Sequence, residues 1–110
     1  MKLTPEEELW LKSYCEALAR QFPGLVEQLI IFGSKARGTA TEESDLDLLV
    51  VIREGGWRVK DAITQPGYLL AVDTNSVPSI IVLTREEWGS LRRREAPFWQ
   101  TVQRDGVVVP

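Results

Sequence analysis

A chain of 110 residues with 44% apolar and 26% charged side chains reads as one ordinary globular domain over residues 1–110, with a real core and no room for a second. Its net charge of −3 excludes the basic stripe that supplies most of a dedicated nucleic-acid binder's affinity, so no direct nucleic-acid binding is expected. Histidine is absent and cysteine occurs once, at Cys15, which excludes Ser-His-Asp and Cys-His catalysis, every His-based metal site and an internal disulfide.

No apolar run approaches the ~20 residues of a membrane span. The opening Met1-Lys2-Leu3-Thr4-Pro5-Glu6-Glu7-Glu8 has no apolar signal core, so a reduced, cytoplasmic setting is expected. Thr4 is a good N-cap, Pro5 suits the first helical position and Glu7 completes a capping box, which predicts a helix from here. Leu11, Tyr14, Cys15, Leu18 and Phe22 keep helical spacing and mark its buried face, and Pro23-Gly24 stops it. Cys15 on that face is core filler, since no cationic neighbour is evident.

Leu25 to Phe32 and Leu46 to Ile52 read as two strands, both apolar enough to be central. Gly55-Gly56 breaks the chain. From Trp57 to about Asn75, Val59, Ala62, Ile63, Leu69 and Leu70 have helical spacing, and Pro66-Gly67 is expected to kink or split that helix. Ser79 to Leu83 is a third strand, and Thr84 with Glu87 caps the next helix, through Trp88 and Leu91. Pro97 opens a last short helix ending at Gly106, and Val107-Val108-Val109 adds an edge strand. Strands interleaved with helices give an α/β (α+β) class: a small mixed sheet flanked by helices.

Chemistry concentrates between the first two strands. Gly33-Ser34-Lys35-Ala36-Arg37-Gly38 leaves a strand through a turn whose backbone N–H groups favour an anion, and a triphosphate suits it. Gly33 lets the backbone approach closely and Ser34 adds a hydroxyl donor. The segment is not a P-loop, which needs two glycines four residues apart followed by Lys-Ser/Thr. In Ser44-Asp45-Leu46-Asp47-Leu48, Asp45 and Asp47 sit at period two on one sheet face, with Cα atoms roughly 6.5–7 Å apart. Such a pair can share one Mg²⁺ or Mn²⁺, because only oxygen ligands are on offer.

Together these residues resemble the nucleotidyltransferase superfamily that includes DNA polymerase beta. The variant G-S-x-A-x-G followed by S-D-x-D-L, in so short a chain, is similar to its minimal nucleotidyltransferases. The resemblance implies a nucleotidyltransferase fold in which Asp45 and Asp47 hold Mg²⁺ against the triphosphate of ATP or another nucleotide. It also implies that Gly33 and Ser34 bind the β- and γ-phosphates, with Lys35 or Arg37 adding a cationic contact.

Catalysing relatives carry a third carboxylate on the next core strand, whereas Val77 to Leu83 contains none; Asp73 lies before it and Glu86 and Glu87 after. Larger relatives add a helical acceptor domain that these residues do not hold. In the minimal group that side is a separate helical HEPN protein, the toxin of a toxin–antitoxin pair. Trp57, Trp88 and Trp99 are candidate interface anchors, and Arg92-Arg93-Arg94 a solvated helix end. Three readings follow: AMP transfer to a hydroxyl of a HEPN partner, a silent antitoxin acting by binding alone, and transfer to an aminoglycoside-like small molecule. A homo-oligomer is compatible with each.

Overall fold

The computed structural model describes residues 1–40 and 45–110. Helix α1 (Pro5–Gln21) starts with the expected capping box: the Thr4 side chain accepts the Glu7 N–H and the Glu7 carboxylate accepts the Thr4 N–H. The chain then forms β1 (Val26–Phe32), a short helix α2 (Gly33–Arg37) closed by Gly38, β2 (Leu46–Ile52) and the long helix α3 (Trp57–Thr74). It continues through β3 (Pro78–Thr84), α4 (Arg85–Arg93), α5 (Pro97–Asp105) and β4 (Val107–Val108). Thr84 and Glu87 form the second capping box, and Pro97 opens α5 ahead of its Gly106 cap.

The sheet is mixed, in the order β3-β2-β1-β4. β1 runs antiparallel to β2 and β4, while β2 and β3 are parallel, joined by α3 as the crossover. The two most apolar strands are central, as their sequences require, and β4 closes one edge.

Period-two alternation along β2 divides the core in two. Leu46, Leu48, Val50 and Ile52 join Trp10, Tyr14, Leu18 and Ile63 under α1 and α3. Leu49 and Val51 join Ile30 and Val102 under α4 and α5, with Phe32, Leu83, Trp88 and Phe98 packed around them. Asp47 has the parity of Leu49 and Val51, so it lies at the end of the α4/α5 face.

Two expectations about helices change. α3 is not split at Pro66 but runs through it. Proline removes the N–H that would have bonded the Ala62 carbonyl, yet α1 holds the helix together on either side. The Trp10 Nε1–H donates to the Gly67 carbonyl at 2.7 Å and the Tyr14 hydroxyl donates to the Ile63 carbonyl at 2.7 Å. Tertiary bonding overrides local propensity there. Leu69 is 71% exposed, because the packed stripe of α3 runs through Ile63, Gly67 and Thr74. Trp10, outside the expected stripe of α1, is fully buried, whereas Cys15 is only half-buried. Burial, and secondarily Glu16, push the Cys15 thiol upward, in keeping with an inert packing role.

Candidate active site

Gly33 and Asp47 meet directly. Phe32, the last residue of β1, pairs with Asp47 on β2, so the chain leaves β1 immediately beside that carboxylate. Gly33 has φ +76°, and a Cβ built on it would stand 2.2 Å from Asp47 Oδ2. Only glycine satisfies both the backbone angle and the approach. The turn and the acid, separated in sequence, are therefore one site.

Asp47 is also the one position of β2 that is not buried. Burial raises its carboxyl above the ordinary range, Asp45 raises it further and the Arg37 guanidinium pulls it back. Asp45 is exposed, one residue before β2. Ser44, the first residue of the quoted motif, lies outside the described residues.

The two cations of the turn take different places. Lys35 is 3% exposed, and its ammonium lies 3.0 Å from Glu7 Oε1, the same oxygen that accepts the Thr4 N–H. The Lys2 N–H adds a 2.9 Å bond to the Lys35 carbonyl. Lys35 thus turns charge toward Glu7 in the packing between α1 and α2. Arg37 is exposed, with Nη1 3.6 Å from Asp105 Oδ2. It thus stands between Asp105 at the end of α5 and Asp47 at the start of β2, and its charge acts on both. Asp105 is held low first by its bond to Arg104. Sequence reading missed Asp105 as Arg37's neighbour, since no local pattern links α2 to α5; for Glu7 it found the cap and missed the ion pair.

The strand beside the acids offers no third carboxylate. Ser79 of β3 pairs with Asp47 and Ile81 with Leu49, so a serine and a half-open isoleucine border the site. Asp73 lies on α3 in the groove against α1, and Glu87 is committed to Lys60 and to the cap of α4. Among the described residues no three His, Cys, Asp or Glu groups gather for a metal. Two carboxylates still fit Mg²⁺, which is commonly bound through one or two carboxylates plus substrate phosphates. Burial first, and the Asp45 charge second, disfavour the Asp47 carboxylate, and a hard cation would offset both.

The family model of the nucleotidyltransferase domain matches residues 11–99, which takes in the turn, both acids and β3. The chain belongs to that family. A curated relative from Methanocaldococcus jannaschii, named as a putative protein adenylyltransferase, is 47% identical over 45 residues, 41% of this chain and 45% of the relative. The chain thus matches less than half of that protein's length. A solved structure of a putative minimal nucleotidyltransferase is 27% identical, with all of this chain and 96% of the other covered at a TM-score of 0.57. A toxin–antitoxin structure with AMP-PNP reaches a TM-score of 0.60 over 96% of this chain and 72% of the other, at 20% identity, and an MntA-HpeT toxin–antitoxin structure reaches 0.59 over 91% and 71%, also at 20%. These two likenesses are of fold. No helix among the described residues of this nucleotidyltransferase-family chain is long and apolar enough to cross a membrane.

Proposed function

We propose that the chain transfers a nucleoside monophosphate, AMP from ATP, to a hydroxyl of a separate protein. The observation that carries this reading is the contact of Gly33 with Asp47, which fuses an anion-binding turn to a carboxylate pair. Gly33 and Ser34 bind the terminal phosphates, and Arg37 supplies the exposed cation. Asp45 and Asp47 would hold Mg²⁺, or Mn²⁺, which when bound neutralises phosphate charge and lowers the barrier to displacement. The acceptor oxygen bonds to the α-phosphorus, the bond to the β-phosphate oxygen breaks and pyrophosphate leaves, while the hydroxyl proton passes to solvent. Lys35 is left out of the nucleotide contacts because Glu7 holds it.

The acceptor is proposed to be a HEPN-type helical protein in the cytoplasm, with this chain as its antitoxin. Likeness in fold to toxin–antitoxin structures supports a separate partner. Of the three candidate tryptophan anchors only Trp57 is open, at 72% exposure, with the Arg58 guanidinium over its ring. Leu69 and Val72 extend the exposed apolar surface of α3. A second reading, neutralisation by binding alone, is favoured by one observation: Ser79 stands where a third acid would complete the pair. Loss of a positioned base typically forfeits about 10²–10⁴ in rate.

Incubation with labelled ATP, Mg²⁺ and the protein encoded beside it separates the two. Label on the partner, lost with Asp45→Ala and Asp47→Ala, is the expected result. Transfer that survives both substitutions overturns the mechanism. A tight complex without label establishes the binding-only reading.

A further inference from the structure

At the far end of the α4/α5 sheet face lies a cleft of 420 Å³, formed where α4 and α5 meet the β1–β4 edge. Ligand pockets begin at about 300 Å³. Gln28 and Val51, which border it, are a cross-strand pair, while Asp47 pairs with Phe32. Val51 stands four positions beyond Asp47 on β2, about 13 Å along the strand, so the cleft is distinct from the turn and the acid pair.

Its walls are unusual for an acidic protein. Trp88 and Trp99, both half-buried, border it together with Arg85 and Arg92. Glu27 is the one acid in the lining, and Arg85 pairs with it. Arg92 has no ion-pair partner among the described residues. One uncompensated guanidinium therefore remains beside two indoles in a chain whose net charge is −3. Guanidinium groups match phosphate oxygens bidentately, and indole faces stack on flat aromatic rings. Gln28 and Gln103 add amide donors and acceptors at the rim.

We propose that this cleft is a second ligand site that takes a mononucleotide, with the base against Trp88 and Trp99 and the phosphate on Arg92. A single free cation and a volume suited to one nucleotide do not serve a nucleic-acid strand, which needs a row of cations along its backbone. The site does not depend on metal or on Asp45 and Asp47, so its test is independent of the proposed transfer.

The ¹⁵N-labelled protein is titrated with AMP in EDTA, following the indole N–H signals. Saturable shifts of Trp88 and Trp99 are expected, with adenosine and inorganic phosphate each binding at least about tenfold more weakly than AMP. Arg92→Ala, an exposed position, weakens AMP by about tenfold or more, while Asp47→Asn leaves it unchanged. The wild-type titration stands without any variant. No saturation by about 10 mM AMP overturns the proposal. So does phosphate binding as tightly as AMP, or an AMP response lost with Asp47→Asn and kept with Arg92→Ala.

Discussion

Replacing Gly33 by alanine would put a methyl carbon 2.2 Å from Asp47 Oδ2 on a backbone held at φ +76°. The left-handed angle alone costs a β-carbon about 1–2 kcal/mol, before the overlap is relieved. Gly33→Ala is therefore expected to lower stability in urea titration by about 2 kcal/mol and to remove Mg-dependent ATP binding with it. Asp47 behaves in the opposite way. Its folded carboxyl is raised, chiefly by burial, above its unfolded value, so the proton is held more tightly when folded. Stability from this group is thus fully present below the ordinary aspartate range and declines as pH rises through the raised folded value. Asp47→Asn removes that penalty: melting temperature at pH 7 should rise, and the gap from the wild type should close as pH falls below the ordinary aspartate range. A parent that melts above Asp47→Asn at pH 7 would show that the carboxylate is not strained. On the proposed reading, stability is given up here to keep a charge ready for a cation.

At the scale of elements, α1 carries two separable devices on one side chain. Glu7 caps its own helix through Thr4 and binds the buried Lys35 of α2. Thr4→Ala costs only the cap, about 1 kcal/mol. Glu7→Gln keeps an oxygen for the Thr4 N–H but removes one charged partner of the buried Lys35 ammonium, and about 2 kcal/mol is expected in chemical denaturation. Equal losses in the two variants would mean that the pair contributes nothing beyond the cap. The cap was legible in Thr4-Pro5-Glu6-Glu7; the ion pair was not, because it spans 28 residues and no local period encodes it. Pro66-Gly67 shows the same limit. Local rules break α3 there, yet Trp10 and Tyr14 bind its carbonyls and Gly67 makes room for them. A Cβ on Gly67 would lie 2.6 Å from Ile80 Cδ1 and 3.1 Å from Tyr14 Cε1. Ile80 can rotate away, but Tyr14 is fixed by its bond to Ile63 and its stack on Trp10. Gly67→Ala should therefore destabilise by about 1 kcal/mol, although alanine is the better helix former by about that amount.

For the molecule as a whole, the central place of the first two strands followed from their apolar runs, and the turn and acids were recognisable because motif residues cluster in sequence. The other end of the sheet face was not, since Arg92, Trp99 and Gln28 reach one cleft only through packing of three elements. Asp105 reaches Arg37 in the same way. The acid pair also couples the site to global stability. A ligand that binds only the folded chain stabilises it by about 2.7 kcal/mol at one hundred times its dissociation constant. For a domain of this size that corresponds to a rise of about 10 °C in melting temperature. On the proposed reading Mg²⁺ with ATP is expected to produce such a rise, because a cation held by Asp45 and Asp47 offsets the burial and the Asp45 charge that raise the Asp47 carboxyl. The increment that requires Mg²⁺ should vanish with Asp47→Asn and persist with Arg92→Ala. The smaller shift given by AMP in EDTA should follow the reverse pattern. If both shifts disappear with the same substitution, the face holds one nucleotide site, and the carboxylates and the tryptophan cleft cannot be independent.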